Sequence, residues 1–198
     1  MRKPRPVLLL VDFMNPLDFR EADKLAPKAV AAARTTFRLK QRCRDARIPV
    51  IYANDNFGRW DSQFSEVIRS CVEAGGASAQ LAALLAPAPG DMSILKPRHS
   101  AFYGTPLQFL LTELRADTVI VTGLTADNCV LFTALDAFLR NYRVWVPSDC
   151  VAAATSRDRD RALEQMTAAA KVWTGSSRAT LAAGLARAAR LHAQSGTK

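Results

Sequence analysis

Short apolar, β-branched runs alternate with longer amphipathic stretches along this chain. Such runs, bounded by polar or turn residues, predict strands, whereas apolar residues spaced three and four positions apart predict helices. The strongest predicted strands are Val7–Val11, Val50–Ala53, Thr118–Thr122 and Val144–Val146, with weaker candidates at Ser93–Leu95 and Lys171–Trp173. The predicted helices are Asp23–Ala46, Asp61–Ser70, Ser78–Leu85, Pro106–Leu114, Ala126–Arg140 and Ser156–Ala169, followed by an Ala-rich terminal helix within Thr180–Lys198 that should fray after about Leu191.

Nearly all-apolar strands that alternate with helices predict an α/β fold, with a mostly parallel sheet covered by helices on both faces. A length of 198 residues suits a single domain over 1–198, because the chain can bury a sizeable core and shows neither a repeat nor a long linker. Ligands of such folds bind beyond the carboxyl ends of the strands. Polar residues at those ends are therefore the first candidates for chemistry.

The net charge of +9 lies mainly in the terminal segments. Residues 1–48 hold 12 Lys and Arg against 5 Asp and Glu, residues 49–155 hold 7 against 10, and residues 156–198 hold 8 against 3. Nucleic-acid binding requires basic residues clustered within a recognisable motif, and the sequence contains none. We therefore predict a solvated basic surface and no nucleic-acid partner.

The apolar run Val7–Val11 is too short for a signal-peptide core or a membrane span. The chain has four cysteines: Cys43, Cys71, Cys129 and Cys150. They form no C-x-x-C pair, and nothing else indicates secretion, so the cysteines are expected to be reduced. We predict a cytoplasmic protein without a membrane partner.

Three reactive side chains occupy equivalent places along the predicted sheet. Asp12 and Lys96 each follow an apolar strand, and Cys129 begins the helix after Thr118–Thr122. Because parallel strands end at one edge, a carboxylate, an ammonium group and a thiol can converge there. A thiol at a helix N-terminus tends to ionise, and the thiolate is a nucleophile. The alternatives are a buried structural cysteine, an Asp12 that caps a turn or helix, and a Lys96 that is a surface charge.

These side chains lie within three longer motifs: Leu8–Asn15, Lys96–Thr105 and Gly123–Val130, the last with Asp136-Ala137 downstream. In order and spacing the motifs resemble those of the isochorismatase-like cysteine hydrolases, the superfamily that includes nicotinamidases and N-carbamoylsarcosine amidases. The resemblance covers about residues 6–175. It implies a six-stranded, mostly parallel sheet in a three-layer, Rossmann-like αβα sandwich.

The same resemblance implies a catalytic triad of Asp12, Lys96 and Cys129. It also implies a cis peptide at Leu124–Thr125 and an oxyanion hole built from the backbone N–H groups of Thr125 and Cys129. The implied activity is hydrolysis of a small amide or carbamoyl-type C–N bond through a thioester. Two alternatives stay open: vinyl-ether hydrolysis of the isochorismatase type without a covalent intermediate, and a thiol-redox or binding protein on the same fold.

Two departures from the family pattern bear on the site. Met14 stands where many relatives carry glutamine, so the polar support of Asp12 should differ. Nicotinamidases bind a metal ion through an aspartate and histidines after the second strand, whereas Asn54–Trp60 contains no histidine here. We therefore predict no metal and no other cofactor, and expect Asp55 and Asn56 to order their loop through local hydrogen bonds.

Four aromatic residues near the same edge are candidates for the walls of a substrate pocket, with core packing as an equal alternative: Phe57, Trp60, Phe102 and Tyr103. The substrate is expected to be a small molecule. Relatives commonly assemble as dimers or tetramers, so the resemblance also implies a homodimer or homotetramer.

Overall fold

A computed structural model describes residues 4–195 and contains one six-stranded sheet. Its strands are β1 Pro6–Val11, β2 Val50–Asp55, β3 Met92–Lys96, β4 Thr118–Leu124, β5 Arg143–Trp145 and β6 Val151–Ala152. They run in the order β3-β2-β1-β4-β5, β6 pairs with the carboxyl end of β4, and every pairing is parallel. The predicted parallel α/β sheet is confirmed.

Seven α-helices flank the sheet within the same residues. They are α1 Ala22–Asp45, α2 Phe64–Ala74, α3 Gly76–Leu84, α4 Leu107–Glu113, α5 Leu131–Leu139, α6 Ser156–Ala170 and α7 Leu181–Ser195. Side chains of α1, α2, α3 and α7 share one apolar core with the sheet, and those of α4, α5 and α6 share the other. The helices therefore form two layers around the strands.

The central strand β1 shows why its sequence is continuously apolar. Val7, Leu9 and Val11 belong to the core under α4, α5 and α6. Leu8 and Leu10 point to the opposite face and belong to the other core. Successive side chains of a strand alternate between faces, so a strand that is covered on both sides needs apolar residues at every position.

The segment predicted as one helix over Ala126–Arg140 is divided in two. Ala126–Val130 forms a π-helical turn, and α5 begins at Leu131. The N–H of Val130 donates to the carbonyl of Thr125, five residues earlier, at 3.2 Å. A π-helical turn is often found at a functional site, and the apolar pattern alone does not distinguish it from an α-helical turn.

The carboxyl-terminal part departs from the prediction at three points. The two-residue strand β6 is too short for its pattern to be recognised, and the candidate strand Lys171–Trp173 makes only one bridge, from Trp173 to Trp145. The terminal helix continues to Ser195 instead of fraying near Leu191, because its residues pack on the sheet and His192 meets the ring of Phe138 at 6.4 Å. Residues 196–198 lie outside the described part.

Gly123 allows β4 to approach β1 next to the site. Its φ is 136°, and a Cβ atom there would lie 2.0 Å from the carbonyl oxygen of Val11. We expect Gly123→Ala to lower the free energy of unfolding by about 3 kcal/mol or more, because backbone strain adds to overpacking. Urea unfolding measures the change.

Gly58→Ala is the matched control for this prediction. Gly58 also has a positive φ, 74°, but nothing lies within 4 Å of its added Cβ. The Gly58→Ala substitution should lower the free energy of unfolding only by the backbone strain, about 1 kcal/mol. Equal losses of stability in the two variants would contradict the collision with β1.

Candidate active site

Three strand ends bring Asp12, Lys96 and Cys129 together. Asp12 follows β1 directly, Lys96 ends β3, and Cys129 lies in the π-helical turn after β4. The Nζ atom of Lys96 lies 2.8 Å from Asp12 Oδ2 and 3.5 Å from Cys129 Sγ. A carboxylate, an ammonium group and a thiol thus meet at one edge of the sheet.

Lys96 is completely buried, which is costly for a cation unless opposite charges surround it. Burial works to lower the pKa of Lys96, but the charge of Asp12, with contributions from Cys129 and Asp55, outweighs it. The pKa is therefore raised above its ordinary value of 10.5. Lys96 remains an ammonium group and is a fixed positive charge rather than a proton donor.

Asp12 is held from two sides. Its Oδ2 atom pairs with Lys96, and its Oδ1 atom accepts the backbone N–H of Asp55 at 2.7 Å. Burial raises the pKa of Asp12 above its ordinary value of 3.8, and the Lys96 charge and the hydrogen bonds, including one from Cys129, offset burial only in part. A buried carboxylate of this kind is a better proton acceptor than an exposed one.

The pKa of the Cys129 thiol is raised above its ordinary value of 9.0, against the expectation that a thiol at a helix start ionises readily. Burial raises its pKa, the charge of Asp12 raises it further, and Lys96 opposes both effects without cancelling them. The thiol therefore needs Asp12 as a base.

The loop after β2 is ordered by its own side chains, as predicted. Asp55 Oδ1 accepts the N–H of Phe57 at 2.7 Å, and Asn56 Oδ1 accepts the N–H of Gly58 at 2.9 Å. Asp55 makes a second contact that the sequence pattern does not predict: its Oδ2 atom lies 3.5 Å from the Nζ atom of Lys96. Asp55 therefore belongs to the site as well as to the loop.

Polar support at the Met14 position comes from a neighbouring strand. The Met14 side chain is buried in the apolar core, while the side chain of Asn54 contacts the Met14 backbone. Asn54 Nδ2 donates to the carbonyl of Met14 at 2.5 Å, and Asn54 Oδ1 accepts its N–H at 3.3 Å. This amide clamp fixes the loop after Asp12 without a glutamine, and it was missed because β2 was predicted to end at Ala53.

The candidate pocket aromatics do not form one group. Phe57, Trp60 and Tyr103 are exposed, Trp60 most of all at 80%. Phe102 is instead buried in the core beside Tyr142, with the Arg140 guanidinium 4.8 Å from its ring centre. Phe102 is therefore a packing residue and not a pocket wall, because the turn of the loop at residues 100–104 directs it inward.

The loop after Lys96 is tied to the helix that follows Cys129. Ser100 Oγ donates to Asp136 Oδ2 at 2.6 Å, and the N–H of Ala101 donates to Thr133 Oγ1 at 3.0 Å. This gives a physical role to the Asp136 position of the third motif: it links two of the segments that build the site.

The structure places the Leu124–Thr125 peptide bond in the cis form, directly before the turn that carries Cys129. The carbonyl of Thr125 accepts the N–H groups of Asn128 and Val130 at 3.1 and 3.2 Å. These bonds fix the backbone beside the thiol.

The loop after β2 does not fit a metal ion of the nicotinamidase kind. It contains no histidine, and both oxygens of Asp55 already contact Phe57 N–H and Lys96. Among residues 4–195, no three side chains of the His, Cys, Asp or Glu type are grouped as a metal site requires.

None of the helices in those residues has the length and apolar character needed to cross a membrane.

A thiol, a carboxylate and an ammonium group at one edge of a parallel αβα sandwich are an arrangement typical of an enzyme active site. A family model described as the isochorismatase domain matches residues 6–177. The chain belongs to the isochorismatase family. The resemblance drawn from its three motifs is confirmed, and so is its assignment as an enzyme.

Named relatives and a solved structure agree with this membership. The chain is 37% identical over 166 residues to an uncharacterized isochorismatase family protein of Bacillus subtilis, covering 84% of this chain and 91% of that protein. It is 30% identical over 156 residues to the N-carbamoylsarcosine amidase of an Arthrobacter species, covering 74% of this chain and 59% of that enzyme. The crystal structure of N-carbamoylsarcosine amidase from Thermoplasma acidophilum superposes with a TM-score of 0.68 at 28% identity, covering 88% of this chain and 98% of that one.

Proposed function

We propose that this chain is an amidohydrolase that cleaves a small amide or carbamoyl-type C–N bond through a thioester on Cys129. The observation that carries the proposal is the position of Lys96 Nζ, which contacts both the Asp12 carboxylate and the Cys129 sulfur. A base, a nucleophile and a fixed cation in contact are the parts that acyl transfer requires. The N-carbamoylsarcosine amidase relatives support a C–N bond as the target.

The first half of the reaction forms the thioester. Asp12 accepts the proton of the Cys129 thiol as the sulfur attacks the carbonyl carbon. The C–N bond then breaks, and the protonated Asp12 returns its proton to the leaving nitrogen. Lys96 stays charged throughout and offsets the negative charge that moves between carboxylate and sulfur.

The second half releases the acid. Asp12 takes a proton from water, the resulting hydroxide attacks the thioester carbon, and the sulfur leaves and recovers its proton from Asp12. In both halves the carbonyl oxygen becomes negatively charged. The backbone N–H groups of Thr125 and Cys129 are the donors proposed to stabilise that oxygen.

A panel of small carboxamides, carbamoyl compounds and vinyl ethers tests this function. Ammonia release reports C–N cleavage, and rapid acid quenching followed by peptide mass spectrometry reports an acyl group on Cys129. Cleavage of vinyl ethers alone, without an adduct, would establish the non-covalent alternative. The raised pKa of Cys129 argues against a peroxide-reactive thiol, because oxidation proceeds through the thiolate.

We also propose that the protein forms a homodimer or homotetramer. Large apolar side chains are exposed on two helices of one face, with Phe109 of α4 at 77% and Leu139 of α5 at 79%. Exposed apolar groups of this kind often mark interfaces. Leu139→Lys should therefore lower the mass measured by light scattering, whereas Val72→Lys on α2 should not, and a monomeric parent chain would contradict the proposal.

We further propose that residues 1–198 form a single domain and that the protein acts in the cytoplasm, as its composition suggests.

A further inference from the structure

Lys96 has a third acceptor besides the two proposed catalytic groups. An ammonium group carries three N–H donors. Around Lys96 Nζ lie Asp12 Oδ2 at 2.8 Å, Cys129 Sγ at 3.5 Å and Asp55 Oδ2 at 3.5 Å. Three groups thus surround the ammonium group, and the Asp55 carboxylate is an ion-pair partner in addition to Asp12.

Strand register explains why Asp55 reaches this position. Asp55 and Lys96 are paired residues of the parallel strands β2 and β3, so their side chains lie next to each other at the strand ends. The N–H of Asn56 donates to the carbonyl of Lys96 at 3.0 Å and continues the pairing beyond β2. The position of Asp55 is therefore set by the sheet and not by a flexible loop.

Asp55 also contacts the proposed base directly. Its backbone N–H donates to Asp12 Oδ1 at 2.7 Å, while its side chain reaches Lys96, to which Asp12 is paired. The Asp55 side chain is 31% exposed, compared with 6% for Asp12 and 0% for Lys96. Asp55 is thus the most exposed charged member of the group.

We propose that Asp55 is a positioning residue for the Cys129 chemistry, an inference that rests on the proposed function. Its carboxylate fixes the third N–H of Lys96, so that the other two point at Asp12 and at the sulfur. Its negative charge offsets part of the Lys96 charge that is paired with Asp12, which makes Asp12 a stronger acceptor for the thiol proton. In nicotinamidases the aspartate after the second strand binds a metal ion. In this chain the corresponding Asp55 contacts Lys96 instead.

The reactivity of Cys129 toward iodoacetamide tests this inference without a substrate. Alkylation follows the thiolate, and Cys43, Cys71 and Cys150 are fully buried, so the Cys129 peptide can be followed by mass spectrometry across a pH series. The charged groups that face the sulfur are Asp12 and Lys96, with Asp55 behind Lys96. Asp55→Asn removes one negative charge but keeps an oxygen for the Phe57 N–H, so the alkylation midpoint should shift to lower pH.

Two variants serve as controls. Asp55→Glu retains the charge and should keep the alkylation midpoint of the parent chain, and it also covers the case in which Asp55→Asn fails to fold. Asp61→Asn removes a carboxylate from the same loop that is exposed, and it should leave the midpoint unchanged.

Amide turnover gives the second readout. Asp55→Asn should lower kcat by about tenfold, because Asp12 becomes a weaker base, and should leave KM nearly unchanged. A parental midpoint together with a parental kcat in Asp55→Asn would overturn the inference. A raised KM with a parental midpoint would overturn it too, because Asp55 would then bind substrate instead of positioning Lys96.

Failure of the proposed function is distinguishable from failure of this inference. If Cys129→Ala retained turnover, the thioester route would be wrong, and with it the positioning role of Asp55. If Cys129→Ala were inactive while Asp55→Asn matched the parent chain in both readouts, only the role of Asp55 would be wrong.

Discussion

Cys129→Ala is expected to lower amide turnover by at least about 10⁴-fold, because removing a covalent nucleophile abolishes the pathway and leaves only the contribution of binding and the oxyanion hole. The substitution removes a half-buried sulfur and creates little empty space, so the fold should persist. Steady-state ammonia release from an active amide, compared with thermal unfolding of the same sample, measures the two effects separately.

The control for this prediction is Cys71→Ala. Cys71 is a buried cysteine on α2, in the core opposite the one that Cys129 packs against. It should lose some stability and keep its turnover. If Cys129→Ala kept more than a few per cent of the parental rate, attack by sulfur would be excluded and direct attack by water would become the mechanism to test.

The raised pKa of the Cys129 thiol determines how readily it is alkylated. A preformed thiolate would be alkylated readily at neutral pH, whereas burial and the charge of Asp12 raise the pKa of Cys129 and favour the thiol. Its nucleophilicity therefore appears only when Asp12 accepts the proton. The same raised pKa should slow oxidation of the sulfur, because the thiol is much less reactive than the thiolate.

Much of the fold could be predicted because the strands are buried on both sides. An apolar run such as Val7–Val11 fits a central parallel strand, and the first polar residue after it marks the functional edge. Asp12 and Lys96 are predicted in this way, Cys129 is predicted from its place at the start of the next helix, and the resemblance relates the three to one another. The two-residue β6 and the five-residue π-helical turn produce no comparable periodic signal, because each is too short for an apolar pattern to repeat within it.

The parts of the site that were missed depend on pairing between distant segments. The contact of Asp55 with Lys96 follows from the register of β2 on β3, and the Asn54 clamp follows from the proximity of β2 to the loop after β1. Phe102 was placed among the candidate pocket aromatics because its motif borders the site. The hydrophobic pattern indicates the face of a strand but not the direction of a side chain in a loop, because that direction depends on contacts between segments distant in the chain.

Lys96→Met is the second substitution with a large expected effect, and it acts on stability and turnover together. It replaces a fully buried cation by an apolar side chain of similar length and leaves Asp12 without its ion-pair partner. Removing one member of a buried pair costs about 3–5 kcal/mol. Turnover should fall by at least about 100-fold, because the charge that balances the carboxylate and the sulfur is lost and Asp12 is protonated more readily.

The pH dependence of this loss follows from the two pKa shifts. Burial raises the pKa of Asp12 above 3.8, so the ionised Asp12 lowers the stability of the parent chain at neutral pH. In Lys96→Met this loss of stability is larger, because no positive charge offsets the burial of the carboxylate. Below pH 3.8 the carboxyl group is protonated in folded and unfolded chains of both proteins. The pKa of Lys96 is raised above 10.5, so its stabilising charge is present at lower pH and is lost as the pH rises through the raised value. The stability difference should therefore be largest at neutral pH and shrink toward acid.

Urea unfolding of the parent chain and of Lys96→Met, at neutral and at acidic pH, measures this difference. Lys40→Met is the matched control, because Lys40 forms the other deeply buried ion pair of the described residues. Its Nζ atom lies 2.8 Å from Asp91 Oδ2 and 2.7 Å from the Tyr52 hydroxyl. Lys40→Met should lose comparable stability and retain turnover while folded, which separates the cost of breaking a buried pair from the loss of catalysis. A Lys96→Met protein whose deficit did not depend on pH would show that the cost comes from packing and not from the charge left on Asp12.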